Sequence, residues 1–320
     1  MAFHKHILDY DCKAEADRIC AFLRAQMFAF KRRGIVIGLS GGIDSAVAAA
    51  LCVRAFGQRK VYGLILPEKE SNPVSEEYAK LHALRLGIET VKVDLTPVLE
   101  AIDIYRKRDE IIRRFFPEYS KEHRFKITLP PDLLKREMFN IFSLVVADGS
   151  GKIKSARLDA AALNGIVAAT NTKQRMRMLQ LYYHAEKMNY LVCGTTNRSE
   201  TVQGFFVKFG DGGVDVEPLA HLYKIQIYRM SEYLDVPEEI RKRAPSPDTY
   251  SFPVSDEEFF FRIPFEQLDL LLYAWENKVS VSRVCAAMGL DKDQVERVFR
   301  DFSAKHNASG HVRKPPPALE

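Results

Sequence analysis

Six consecutive residues, Ser40-Gly41-Gly42-Ile43-Asp44-Ser45, combine the groups needed to hold a polyphosphate. They follow the apolar run Ile35-Val36-Ile37-Gly38-Leu39 and lead into a helical stretch from about residue 44 to 56, stopped by Gly57. A buried strand that turns through glycines into a helix exposes several backbone N–H groups around an anion, with the positive end of the helix behind them. Neither Gly-Lys-Ser/Thr nor G-x-G-x-x-G is present, so this is not one of the two common phosphate loops. Taken without the rest of the string, the glycines also fit a tight strand-to-helix turn with Asp44 as a helix-start acid. A second acid, Glu200, follows the short apolar run 190–194 and Thr195. If both strands are parallel, Asp44 and Glu200 stand at carboxyl ends, where ligands of such sheets collect. Two acids there suit Mg²⁺ shared with phosphate oxygens, although Glu200 alone also fits a helix N-terminal acid.

The elements that must position these residues alternate. An amphipathic helix with Ile19, Phe22, Leu23 and Met27 on one face precedes the first strand. Strand 60–67, helix 74–87 ending at Gly87, and strand 88–95 follow. Apolar, β-branched strands alternating with helices predict an α/β protein, a Rossmann-like parallel sheet flanked by helices. The alternation breaks at 103–160, where a charged helical run, Pro130-Pro131 and a hairpin over 140–158 around Asp148-Gly149-Ser150-Gly151 are expected. It resumes with a helix over 171–189 that offers Met176, Leu179 and Tyr183 on one face, and ends in an extended tail at about 306–320.

Composition narrows the classes of function. The chain has 320 residues, 47% of them hydrophobic, enough for a sizeable core in one large domain or two small ones. A formal charge of +5, spread through mixed-sign runs, argues against nucleic acid as a partner. The polar N-terminus and interrupted apolar runs argue against a signal peptide or membrane span, so a cytoplasmic location is expected. Five scattered cysteines, Cys12, Cys20, Cys52, Cys193 and Cys285, form no C-x-x-C pair and read as buried thiols.

The complete S-G-G-x-D-S string resembles the pyrophosphate-binding loop of the N-type ATP pyrophosphatases, which split ATP between its α and β phosphates to activate a substrate as an adenylate. The blocks NTKQRMRMLQLYY, YLVCGTTNRSE, GFFVKFGDGGVDVEPLAHLYKIQIY and APSPDT resemble those of NAD synthetase, in the same order. The resemblance implies an adenine nucleotide alpha hydrolase-like fold in a single domain, with ATP as substrate, Mg²⁺, and a homodimer. It implies ATP contacts at Gly38, Leu39, Ser40, Gly41, Gly42, Ile43, Asp44, Ser45, Thr195, Lys224 and Ser246, and metal contacts at Asp44 and Glu200. Deamido-NAD contacts are implied at Arg175, Lys208, Asp215 and His311, and catalytic roles at Asp44, Lys208 and Lys224.

The implied reaction adenylates a carboxylate and then displaces AMP with ammonia, a carbon–nitrogen ligase needing no nucleophilic side chain. With the first strand of the core near residue 35, no glutaminase domain is expected, and ammonia is free or supplied by a separate protein. This sequence departs from the family pattern at Phe206-Val207-Lys208-Phe209, at Phe259-Phe260-Phe261, at Val312 in the tail and across 103–160. A same-fold ligase acting on a different carboxylate is therefore the alternative, followed by a nucleic-acid-modifying pyrophosphatase and a silent nucleotide-binding module. The segment 103–160 is expected to cover the acyl-substrate side of the site or to extend a dimer interface.

Overall fold

The computed structural model describes residues 3–135 and 140–319; residues 136–139 of the expected insertion and residue 320 of the tail lie outside the described residues. Its centre is a four-stranded parallel sheet: β1 Ile35–Gly38, β2 Val61–Ile65, β3 Glu89–Lys92 and β7 Leu191–Cys193, in the order β3-β2-β1-β7. Pairing of Gly38 with Leu64 and of Ile37 with Cys193 brings the carboxyl ends of β2, β1 and β7 side by side. Strand alternation sorts the two faces. Ile35 and Ile37 pack against α1 Cys12–Ala29, α2 Ile43–Phe56 and α8 Lys224–Tyr233, while Val36 joins Leu99, Tyr105, Ala169 and Ala185 on the other side. The parallel sheet expected from the alternation is thus present, covered on both faces.

Two expected faces are corrected. In α1, Ile19, Leu23 and Met27 are buried, but Phe22 is 41% exposed, because α2 covers only one side of the helix. The helix expected over 171–189 is α6 Ala160–Met188, eleven residues longer at its start, because Asp159 accepts from Ala162 N at 2.7 Å and the alanine-rich segment behind it continues the helix. Leu179 and Tyr183 lie outward on α6, more than half exposed, while Met176 packs inward.

Residues 103–160 form a substructure around α6. Helix α5 Ile104–Phe115 and an antiparallel sheet of β4 Arg124–Thr128, β5 Ser143–Ala147 and β6 Ile153–Arg157 share a core containing Phe125, Ile127, Leu144, Val146, Ile166 and Tyr250. The expected hairpin is β5–β6, turned by Asp148, whose carboxylate accepts from Ser150 N and Lys152 N. Strand β4 was not anticipated. A π-turn, Glu257–Phe261, bridges this sheet to the C-terminal helices α10 Phe265–Glu276, α11 Val281–Met288 and α12 Lys292–Ala308. Cys20, Cys52 and Cys193 are buried, Cys12 and Cys285 half-buried, and all five are free thiols. Among the described residues no helix is long and apolar enough to cross a membrane.

Candidate active site

The loop after β1 is tied off by its own hydroxyls. Gly42 N donates to Ser40 Oγ at 3.2 Å, Ser45 Oγ donates to the Gly42 carbonyl at 2.9 Å, and the two serine hydroxyls meet at 3.0 Å. Gly41 adopts φ +73°, and a Cβ there would stand 2.3 Å from the Ser75 carbonyl oxygen, so only glycine fits. Gly42 caps α2 without a side-chain hydrogen bond, which leaves N–H groups at the start of α2 to serve an anion.

Helix α7 Arg198–Gln203 begins five residues after the end of β7 with a capping box: Glu200 N donates to Asn197 Oδ1 and Asn197 N donates to Glu200 Oε2. The same Asn197 donates from Nδ2 to Asp44 Oδ1 at 2.9 Å, joining the loop ends of β1 and β7. Lys224, at the start of α8 and 1% exposed, donates to Asp44 Oδ2 and lies 3.6 Å from Glu200 Oε1. Behind it, buried Asp269 accepts from Ser199 Oγ at 2.6 Å and from Ile225 N at 2.8 Å, fixing α7 and α8 together. Burial pushes the Asp269 carboxyl up to about 7, against the stabilisation from those donors.

Burial opposes the charge on Lys224, but Asp44, Glu200 and Asp256 outweigh it and hold the ammonium above the usual lysine range. Burial also pushes Glu200 well above the usual carboxylate range, aided by Asp44 and opposed by Lys224. Asp256 is pushed up to about 6 in the same way. The cluster is therefore short of positive charge. Among the described residues no group of three acids, histidines or cysteines could hold a metal unaided. Two carboxylates completed by phosphate oxygens and water are nevertheless the donor set that Mg²⁺ accepts.

These groups line a cavity of about 920 Å³. Of the sequence-predicted residues, Gly38, Leu39, Ser40, Gly42, Ile43, Asp44, Ser45, Thr195, Glu200, Lys224 and Ser246 face it, with Gly41 just behind. Arg175, Lys208, Asp215 and His311 do not line it. Arg175 is exposed, and its Nε reaches the Lys208 carbonyl at 3.4 Å. Lys208 Nζ donates to the carbonyls of His311 and Lys314, so the C-terminal tail lies against its loop. Asp215 accepts from Val192 N at 2.8 Å and from Tyr182 Oη at 3.0 Å, holding β7 to α6.

Several lining residues were missed by sequence reasoning. Asp256 carries no motif of its own, and Asn197, fully buried, tethers Asp44 without lining the cavity. Asp211 accepts from Val207 N at 2.7 Å and also faces the cavity, and burial pushes it up to about 6. The phenylalanine run divides its work: Phe261 is fully buried in the C-terminal core, while Phe259 and Phe260 line the cavity with Phe142, Phe205 and Phe206.

A family model described as NAD synthase matches residues 15–116 and 136–316, leaving 117–135, which contains β4, unmatched. The NH(3)-dependent NAD(+) synthetase of Mesorhizobium japonicum is 45% identical over 311 residues, covering 97% of this chain and 97% of that one. That of Rhizobium meliloti is 45% identical over 320 residues, covering 100% and 96%. Among solved structures, an NMN synthetase from Francisella tularensis superposes with a TM-score of 0.67 at 25% identity, covering 97% of this chain and 99% of that one. The NH3-dependent NAD synthetase from Campylobacter jejuni, at 23% identity, shares the fold with a TM-score of 0.64, covering 98% and 100%. Matched along nearly all of its length, on both sides of the cavity, this chain belongs to the NAD synthase family.

Proposed function

We propose that this protein is an ammonia-dependent NAD synthetase, a ligase that adenylates the carboxylate of deamido-NAD with ATP and then replaces AMP by ammonia. The observation that carries the reading is 45% identity, end to end, with relatives named for that activity. In the first step a carboxylate oxygen attacks the α-phosphorus and the bond to pyrophosphate breaks. In the second, ammonia attacks the acyl carbon, loses a proton, and the bond to AMP breaks.

This chain's residues serve both steps by position and charge. The Ser40–Ser45 loop and the start of α2 hold the departing pyrophosphate, and Lys224, kept charged by its acids, orients Asp44 against them. Asp44 and Glu200 would hold Mg²⁺, which when bound neutralises phosphate charge. Asp211 faces the same cavity, its carboxyl pushed up to about 6 by burial. Lys208, Arg175, Asp215 and His311 lie outside the cavity lining and serve the distal part of the dinucleotide. The outward Leu179 and Tyr183 of α6 support a homodimer, and the enzyme works in the cytoplasm on ammonia, free or delivered by a separate protein.

The likeness to an NMN synthetase favours one second reading, amidation of a mononucleotide acid. Purified protein should be incubated with MgATP, ammonium and either deamido-NAD or the mononucleotide acid, with amide product, AMP and pyrophosphate quantified. Equimolar products from deamido-NAD are expected. Turnover of the mononucleotide alone would replace the first reading by the second.

A further inference from the structure

Among the described residues five cations line the cavity: Lys69, Lys92, Arg177, Lys224 and Arg243. The lysines already face acids. Lys69 Nζ donates to Glu100 at 2.8 Å, Lys92 lies 2.8 Å from Glu76, and Lys224 is held by Asp44 and Glu200. Neither arginine pairs with a carboxylate among the described residues, and they differ in what they do instead. Arg243 braces the scaffold: Nη2 donates to Ser75 Oγ at 2.9 Å, Nη1 reaches the Gly41 carbonyl at 3.5 Å, and the guanidinium lies over the Tyr78 ring.

Arg177 is held at one side only. Its Nε donates to the Leu66 carbonyl and its Nη1 to Gln174 Oε1, each at 3.2 Å, while among the described residues Nη2 donates to nothing. One turn earlier on α6, Lys173 has its charge fully answered by Glu68 at 2.9 Å, Glu70 at 2.6 Å and the Thr249 carbonyl at 3.0 Å. Among the described residues no carboxylate stands within ion-pair distance of Arg177, although its charge draws the Asp211 carboxyl downward against burial. Leu66 directly follows β2, and β2 pairs with β1 in the register Gly38 to Leu64. The guanidinium therefore stands at the carboxyl edge of the sheet, one strand along from the Ser40–Ser45 loop, half-buried and with donor capacity unused. A planar fork of donors in that position matches two oxygens of a phosphate, and leaving it unmatched in a half-buried cavity is unfavourable.

The lining's acids sharpen the point. Asp44, Glu68, Glu76, Asp94, Glu200, Asp211, Asp248 and Asp256, eight against five cations, make the cavity unwelcoming to a polyanion unless a cation is free to meet it. Lys69, Lys92 and Lys224 are engaged, and Arg243 is needed behind the loop.

We propose that Arg177 is a substrate-contacting residue that binds a phosphate oxyanion of a bound nucleotide. The assignment rests on the ligase reading for the identity of that nucleotide, which is ATP or the dinucleotide acid. The experiment compares Arg177→Met and Arg177→Gln with the parent, titrating MgATP and deamido-NAD separately by calorimetry and measuring KM for each. Loss of a charged, bidentate donor should weaken one of the two nucleotides roughly 10- to 100-fold while leaving the other near the parent value. Loss for MgATP alone assigns the contact to ATP, and loss for deamido-NAD alone assigns it to the dinucleotide. Parent-like affinity for both overturns the proposal, as does an equal loss of both, which would mark a distorted cavity. Should Arg177→Met not fold, Arg177→Gln, which can still donate to the Leu66 carbonyl, decides by the same criteria. A parent protein that binds MgATP but forms no NAD would fail the ligase reading and leave Arg177 to the ATP titration.

Discussion

Two buried lysines, Lys224 and Lys173, each 1% exposed, sit among acids on opposite sides of the cavity and do different things. Lys224 is ringed by Asp44 and Glu200, whose side chains keep 19% and 14% of their exposure toward the cavity. Lys173 faces Glu68, which is wholly buried, and Glu70, which Arg108 also reaches at 2.6 Å. Those acids are satisfied from all sides, and Tyr105 donates to Glu68 as well. Charge composition is similar in the two clusters. What separates the two clusters is the exposure toward the cavity that Asp44 and Glu200 keep and Glu68 does not.

The comparison breaks most visibly if Asp44→Asn or Glu200→Gln behaves like a change in a brace. Each should reduce Mg²⁺-dependent pyrophosphate release by roughly 1,000-fold or more, with unfolding near that of the parent. Near-parent turnover in either would remove the metal assignment. The opposite behaviour is expected of Lys173→Met, which strands Glu68 in the interior and should cost about 3–5 kcal/mol of stability, read by urea unfolding. A stability equal to the parent's would mean that the cluster is no brace.

Asp269 links the reactive cluster to pH. Its folded pKa, about 7, is raised by burial above the ordinary carboxylate value. The sign is therefore that of a group protonated more readily in the folded chain. Its contribution is whole below about pH 4, is lost as pH climbs through 7, and stays lost above that. Asp269→Asn removes the titrating group, keeping an acceptor for Ile225 N and giving up the one for Ser199 Oγ, so its stability should vary less with pH between 4 and 7 than the parent's. Identical profiles would show that Asp269 does not titrate there.

Smaller effects should come from the periphery. Removing residues 309–320 deletes the carbonyls on Lys208 and the Arg313 contacts to Val202 and His306. Substrate KM should rise several-fold with little change in melting temperature, and a large stability loss would mark the tail as structural. Smallest of all, Phe142→Ala trims the only wall residue supplied to the cavity by the 103–160 substructure among the described residues, and it packs against Phe259. A modest rise in acceptor KM with unchanged ATP affinity is expected if that segment covers the acyl side. Unchanged KM for both substrates would show that it does not. Replacing the whole segment would be less informative, because α6 would lose the core it shares with Phe125 and Leu144.

The sheet was legible because β1, β2 and β7 are apolar runs and β3 is a short alternating edge strand, all set among helix signals, and periodicity carries that information locally. The loop was legible for the same reason, as one continuous string whose glycine at 41 has no substitute. Strand β4 was not, since Arg124-Phe125-Lys126-Ile127-Thr128 alternates but pairs with β5 some twenty residues on, across Pro130-Pro131 and a long connection rather than a tight hairpin turn. The start of α6 was missed because residues 161–170, interrupted by Asn164-Gly165, lie between the expected insertion and the recognised helical face.

By itself the sequence determined the parallel α/β core, the glycine loop between β1 and α2, and the placing of Asp44 and Glu200 after strands, because these follow from short-range spacing. Only the tertiary structure decided that Asn197 joins those two acids, that Lys224 lies between them, that Asp256, Asp211 and two phenylalanines of a π-turn complete the cavity, and that Lys173 is ion-paired while Arg177 has no ion pair among the described residues. The physical reason is that a charge is free or engaged according to which distant carboxylates fold against it, and spacing along the chain does not record that.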